Sequence, residues 1–274
     1  MQAGIHFLRE FLSYAIIKEK GGEMMYPLLH EWLSDRKGGE VFVCFGPTHW
    51  CFILMAFLVG AIAALRMKKM DYHSRQRALN RWIGLAFGLY IADFFLMPMA
   101  YGEIDVEKLP FHVCTAMCVA CFVSRRWEPL KPWRGSLALL GFVSNLVYLI
   151  YPAGVMWHGV HPVSYRVIQT LSFHAVMAVY GFLALCYDSE GLTWRKNLAV
   201  IVAMTGWALF GNGLYGGYPR LFNWFFVVRD PFNILPEAIA PWVMPFVNVA
   251  LFFGVETVIC GITSGLKSKK KKRG

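Results

Sequence analysis

The stretch WCFILMAFLVGAIAAL, residues 50–65, is a run of sixteen residues without a charged side chain, and Arg66, Lys68 and Lys69 follow it. An α-helix rises about 1.5 Å per residue, so about 20 apolar residues cross the roughly 30 Å hydrocarbon core of a bilayer. Basic residues after such a run favour the cytoplasmic side. The stretch therefore predicts a transmembrane helix over roughly 49–65 that leads into the cytoplasm.

The rest of the chain repeats this pattern. Hydrophobic residues make up 57% of the 274 residues and charged residues 16%, against about 25% charged in an ordinary soluble domain. The sequence therefore predicts an all-α polytopic membrane bundle, residues 49–262, with about seven transmembrane helices. The six further predicted spans are roughly 82–100, 109–124, 135–151, 167–187, 196–215 and 240–262.

The distribution of basic residues predicts the orientation. The linkers after spans one, three and five and the end of the chain hold 18 Lys and Arg, whereas the alternate linkers hold four. The positive-inside rule then makes residues 263–274 a cytoplasmic polybasic tail and residues 1–48 an extracytoplasmic segment. The tail is either an anchor for anionic lipids or, in a eukaryotic cell, a dilysine retrieval signal at Lys271 and Lys272. We expect a bacterial cell membrane, or the endoplasmic reticulum membrane if the source is eukaryotic.

Two segments outside the spans have distinct patterns. Within residues 1–17, apolar side chains recur at helical spacing, and Arg9 and Glu10 interrupt any signal-peptide core. This predicts an amphipathic helix at the membrane interface. In the linker 216–238, the aromatic run 221–226 indicates either a segment that lies along the outer interface or a loop packed over the mouth of the bundle.

Ionisable and amide side chains within spans are costly, so they mark candidate sites. With alternating helix directions, all the polar candidates fall at midplane or in the extracytoplasmic half, which favours a shared polar pocket over separate hydrogen bonds between helices. They are His49, Asp93, His112, Asn145, His174, Asn212 and Asn248. Glu256 lies near the inner end of the last span, where we expect it to reach the interface or pair with a linker cation.

Three cysteines of the third span share one helix face. Cys114, Cys118 and Cys121 stand at positions i, i+4 and i+7, which is typical of a packing seam of small residues. Zinc usually takes four ligands, so we expect no metal site, and no motif indicates a cofactor. Cys114 has a second interpretation, because His112 is close in sequence and His174 could approach in space. A Cys–His pair can form an activated nucleophile.

Several short motifs carry a family resemblance. The segment LPFHVC, residues 109–114, resembles the Pro-x-His-x-Cys signature of YwaF-type bacterial membrane proteins. Similar matches are 45–49, 151–152, 172–174 and 223–231. That family is related to eukaryotic transmembrane protein 164, described as a phospholipid acyltransferase with a cysteine nucleophile. In that relative the cysteine directly precedes the histidine matched by His112, whereas Phe111 stands there in this sequence.

Three functional hypotheses follow. In the first, the protein is an acyltransferase acting on membrane phospholipids, in which Cys114 takes the acyl group and His112 or His174 is the base. The second is a non-catalytic receptor or transporter-type protein that binds a small polar molecule or a lipid headgroup. The third is a structural partner in a larger membrane complex. The net charge of +10 comes without any nucleic-acid-binding motif, so we expect no nucleic-acid partner, and the sequence does not define an oligomeric state.

Overall fold

The computed structural model describes residues 32–33, 39–101, 106–157, 159–215, 223–231 and 234–271. These residues form α-helices joined by short 3-10 turns and loops, without a β-strand among them. The amphipathic helix predicted within 1–17 lies outside the described residues. The helices are α1 Pro47–Lys68, α2 Tyr72–Tyr101, α3 Val113–Ser124, α4 Arg134–Ile150, α5 Ala153–Trp157, α6 Tyr165–Tyr187, α7 Trp194–Leu214 and α8 Ala240–Lys271.

Six of these helices are long and apolar enough to cross a membrane, which confirms the predicted polytopic bundle. They are α1, α2, α4, α6, α7 and α8. Helix α6 lies at the centre and packs against α1, α2 and α4. Helices α1 and α8 leave large apolar side chains such as Phe57 and Trp242 exposed, and in a bilayer these surfaces would contact lipid.

The third predicted span differs in form from the other six. Only Val113–Ser124 is helical, because Pro110 lacks a backbone N–H and disfavours a helical conformation in the residue before it. A 12-residue helix is about 18 Å long. Lys108 forms an ion pair with Asp93 late in α2, and Arg125 donates to Gln76 early in α2. Asp93 and Gln76 are about 25 Å apart along the axis of α2. The segment 108–125, which is extended before α3 begins, therefore spans a similar distance across the bundle.

The segments alternate in direction, and their contacts define two ends of the bundle. At the basic end, Tyr187 of α6 donates to the carbonyl of Ala64 in α1, and Lys196 of α7 donates to the carbonyl of Pro132. At the opposite end, called here the histidine end, His112 and His174 lie near each other. By the positive-inside rule we expect the basic end to face the cytoplasm; this orientation stays a prediction.

Arg125 ties three segments together at the basic end. Its guanidinium lies 2.8 Å from the Asp188 carboxylate and donates to the Gln76 side-chain oxygen at 2.6 Å and to the Tyr180 hydroxyl at 3.3 Å. The side chains of Arg125 and Asp188 are 2% and 5% exposed. Because a buried charge is costly unless it is paired and hydrogen-bonded, this cluster fixes α3 against α2 and α6.

Close backbone approach holds α4 against α6. A Cβ atom at Gly181 of α6 would lie 2.6 Å from the Cβ of Phe142 and 3.0 Å from the carbonyl oxygen of Ala138, both in α4. Such distances are shorter than van der Waals contact, so the two backbones can pack this closely only with glycine here. This contact sets the register between Asn145 in α4 and His174 in α6.

The described part of the aromatic linker is a buried loop. Trp224 and Phe225 are 0% and 2% exposed, so residues 223–231 pack into the bundle. This supports, for these residues, the interpretation as a loop packed on the bundle, and their position relative to the membrane interface stays a prediction. Phe225 and Phe226 have φ values of 57° and 52°, a left-handed conformation that costs energy for bulky residues. Asn248 stabilises this conformation, because its amide donates to the carbonyls of both residues.

Candidate functional site

His174 is held in one orientation by Asn145. The amide nitrogen of Asn145 donates to the Gly141 carbonyl at 2.7 Å, so its side-chain oxygen faces His174 Nδ1 at 2.8 Å. This hydrogen-bond pattern assigns the proton to Nδ1 and leaves Nε2 as the basic nitrogen. The ring of Tyr148 stacks on the imidazole, with centroids 3.7 Å apart. The His174 imidazole is therefore fixed by one hydrogen bond and one stacked ring.

Cys114 contacts the same stretch of α4. Its buried thiol lies beside the Ser144 hydroxyl. Ser144 Oγ lies 3.5 Å from Asn145 Nδ2 and donates to the Gly141 carbonyl at 3.3 Å. Cys114 of α3 and His174 of α6 thus contact two neighbouring residues of α4, Ser144 and Asn145 respectively.

His112 stands at the start of α3, close enough to His174 for the two imidazoles to interact electrostatically. The backbone of His112 is extended, and its side chain is half-buried. Among the residues that the structure describes, none forms a hydrogen bond with the His112 ring.

Asp93 joins this group through Lys108. One Asp93 carboxylate oxygen lies 3.1 Å from Lys108 Nζ, and the other accepts from the Tyr165 hydroxyl at 2.8 Å. The Lys108 carbonyl accepts from Tyr90 at 2.8 Å, which fixes the backbone of the lysine. Lys108 also lies within electrostatic range of His112 and His174. A paired ammonium group therefore borders the two histidines.

The hydrogen bonds of His49 are made to residues outside this group. Its Nδ1 accepts from the Phe45 backbone N–H at 2.8 Å, and its Nε2–H donates to the Leu149 carbonyl at 2.7 Å. Both ring nitrogens are therefore committed to the backbone, and His49 joins the start of α1 to the end of α4. The predicted role of His49 in binding a substrate stays a prediction.

Asn212 and Asn248 surround the 223–231 loop. Asn212 Nδ2 donates to the carbonyls of Ala208 and Trp224, at 2.7 and 3.2 Å, and its oxygen accepts from the Trp224 N–H at 3.3 Å. The Asn248 amide donates to Phe225 and Phe226. The amide donors of both residues thus hold backbone groups, as does that of Asn145. Substrate binding by these three asparagines stays a prediction.

Phe111, directly before His112, lies in an aromatic cluster. The ring is buried, with centroids 4.9 Å from Trp224 and 5.1 Å from Trp207. It packs so tightly on Gly211 of α7 that a Cβ there would collide with it. An aromatic cluster therefore occupies the position directly before His112, and Cys114 is the thiol nearest in sequence to His112.

Sequence reasoning did not single out Lys108, Ser144, Tyr148 or Tyr165 as members of this group. Lys108 counted only as a linker cation, although its position four residues before His112 was a usable signal. The hydroxyl of Ser144 gave no signal, because a serine often bonds its own helix within a span. Tyr165 and Tyr148 became recognisable only when the helices were placed side by side.

A known protein family matches most of the chain. The sequence profile of the TMEM164 family matches residues 44–263, which is most of the chain. This chain belongs to the TMEM164 family. The matched range contains every helix from α1 to α7, most of α8 and all eight predicted site residues of this TMEM164-family protein. No curated protein and no solved structure matched the chain.

Proposed function

We propose that this TMEM164-family protein transfers acyl chains between membrane lipids, with Cys114 as nucleophile and His174 as base. The observation that carries the proposal is the 2.8 Å hydrogen bond between His174 Nδ1 and Asn145, which leaves Nε2 free to accept a proton. A histidine oriented by an amide or carboxylate oxygen is the usual partner of a catalytic thiol or hydroxyl. The family resemblance supports lipid as the substrate.

The chemistry requires two balanced steps. In the first, the Cys114 thiol gives its proton to His174 and attacks the ester carbonyl of a phospholipid. The C–O ester bond breaks, and the lysophospholipid oxygen takes the proton from the imidazolium. In the second, a hydroxyl of an acceptor lipid gives its proton to His174 and attacks the thioester carbonyl. The C–S bond breaks, and the Cys114 sulfur takes the proton from the imidazolium, which restores the thiol. The protein thus needs no other reactant than two lipids.

Lys108 and His112 would receive the lipid headgroup in this proposal. Phosphate oxygens accept hydrogen bonds and carry negative charge, so an ammonium and an imidazole suit them. Lys108 already pairs with Asp93 at 3.1 Å, which holds its ammonium in place and partly neutralises it. A net charge near zero would allow a zwitterionic headgroup as well as an anionic one.

A transfer assay tests the proposal. The protein is placed in vesicles with a phospholipid that carries a labelled acyl chain and with an unlabelled lysophospholipid, and labelled product is measured. We expect wild type and Cys118→Ser to transfer the chain and Cys114→Ser to lose at least about a hundredfold of the rate. Cys118 is a matched control, because it lies one turn further along α3 and is also buried. Equal rates in the two variants would exclude Cys114 as the nucleophile.

One observation favours a second candidate, non-catalytic binding of a lipid headgroup. The His112 ring is half-buried and lacks a hydrogen-bond partner in the part of the chain that the structure describes. Binding without transfer predicts that wild type gives no labelled product but retains phospholipid in native mass spectrometry. In that case His112→Ala should lose the retained lipid. Transfer by the wild type in the same vesicles would reject this candidate.

A further inference from the structure

Glu256 is buried in α8 at 0% exposure, with both carboxyl oxygens unpaired among the described residues. The expectation that it reaches the interface or pairs with a linker cation is therefore wrong for the described chain. A carboxylate is too short to reach water from an inward-facing position on a membrane helix. An ionised carboxyl without a partner in an apolar interior costs several kcal/mol or more, so the group must be neutral or hold a cation.

Helix α7 brings a second unpaired oxygen to the same face of α8. Cys260 follows Glu256 by one helical turn and interacts with it electrostatically. The Asn197 amide nitrogen lies 3.5 Å from the Cys260 sulfur, and Asn197 is 2% exposed. The Asn197 side-chain oxygen has no hydrogen-bond partner in the described ranges. The unpaired Asn197 oxygen and the unpaired Glu256 carboxyl thus flank Cys260.

Helix α4 carries a third such group. Ser136 is fully buried, and its hydroxyl has no hydrogen-bond partner within the residues described. Helix α4 packs against both α7 and α8. Ser136 and Asn197 lie within the first turn of α4 and of α7, so all three groups are at the basic end, away from His174. Unsatisfied buried polar groups are rare in proteins, and three on adjacent helices require an explanation.

We propose that Glu256 is a proton-binding site between α7 and α8, loaded from the basic end and separate from the proposed acyl-transfer site. A protonated carboxyl has one O–H donor, and the Asn197 oxygen is an unpaired acceptor on the facing helix. Protonation therefore removes the buried charge and supplies a donor in a region that holds an unpaired acceptor. A metal cation would need several more oxygen ligands than these described side chains supply. Release of the proton would leave a bare carboxylate that weakens the contact of α8 with α7.

Infrared spectroscopy of the full chain in vesicles tests this site directly. Just below neutral pH, wild type should show the carbonyl stretch of a protonated carboxyl, which shifts in heavy water and is absent from Glu256→Gln. Glu128→Gln is the matched control, because Glu128 is also at the basic end but its side chain is 76% exposed. The spectrum of Glu128→Gln should keep the protonated-carboxyl band. Glutamine has the shape of a protonated glutamate, so Glu256→Gln should fold as wild type does.

Two results would overturn the proposal. The first is a wild-type spectrum with the same protonated-carboxyl intensity as Glu256→Gln, since the carboxyl would then be ionised. The second is loss of the band when sodium is added at constant pH, since the site would then bind a cation. A band that disappears only as the pH rises, and to the same extent with and without sodium, supports the proton site. Neither result depends on acyl transfer, so the two proposals can fail independently.

Discussion

Arg125→Met should lower the free energy of unfolding by about 3–5 kcal/mol, because it leaves the buried Asp188 carboxylate without its partner. It also removes the donor to the Gln76 oxygen, so α3 loses its fixed contact with α2. Reversible unfolding in mixed detergent micelles measures the change. The matched control is Arg126→Met, since the Arg126 guanidinium lies exposed over the Phe122 ring and its loss should cost about 1 kcal/mol or less.

The double variant Arg125→Met/Asp188→Leu separates the effect of an unpaired buried charge on stability from the effect of lost side-chain packing. Replacing both members of a buried pair with apolar groups is often neutral, so the double variant should recover much of the stability lost in Arg125→Met. Equal losses in Arg125→Met and Arg126→Met would contradict the assignment of this pair as the fixing contact at the basic end.

Removing the histidine base should have the largest effect on activity. We expect His174→Ala to lower the rate of acyl transfer by about a hundredfold to ten-thousandfold, the usual contribution of a positioned general base. Asn145→Ala should lower it by less, because the imidazole stays in place but loses its fixed orientation. Asn145→Asp keeps an oxygen that accepts from Nδ1 and should retain more activity than Asn145→Ala. Rates are compared at equal amounts of folded protein, with thermal unfolding as the check.

The pH profile distinguishes a catalytic effect from a structural one. If Asn145 orients the base, Asn145→Ala and Asn145→Asp should shift the pH dependence of transfer in opposite directions, since a carboxylate stabilises the charged imidazolium and an alanine does not. Variants that lose rate without a shift in the profile would point to a packing role for Asn145.

The sequence predicted the membrane bundle well because the apolar runs are long and uninterrupted. It also indicated Asp93, Asn145 and His174 as candidate site residues, because polar side chains within membrane spans are rare. Their partners could not be predicted. His174 and Asn145 are 29 residues apart, and Arg125 and Asp188 are 63 apart, so helix packing alone brings each pair together.

Two errors have physical causes that sequence patterns do not reveal. Glu256 was expected near water, but α8 is apolar around its whole circumference near this residue, so the sequence does not indicate which side faces the protein. The third span was predicted as a helix over 109–124, but residues 109–112 are not helical. Pro110 disfavours a helical conformation in the residue before it, and this effect outweighs the apolar character of the segment.

Locating the acyl chain on the protein tests the proposed mechanism most directly. The wild-type protein is incubated with a phospholipid that carries a labelled acyl chain and without an acceptor lipid, then digested at low pH and analysed by mass spectrometry. The mechanism predicts a thioester on Cys114 that hydroxylamine removes and that His174→Ala no longer forms. An acyl chain on any other of the seven cysteines, or a wild-type protein that transfers acyl chains without an adduct on Cys114, would contradict it.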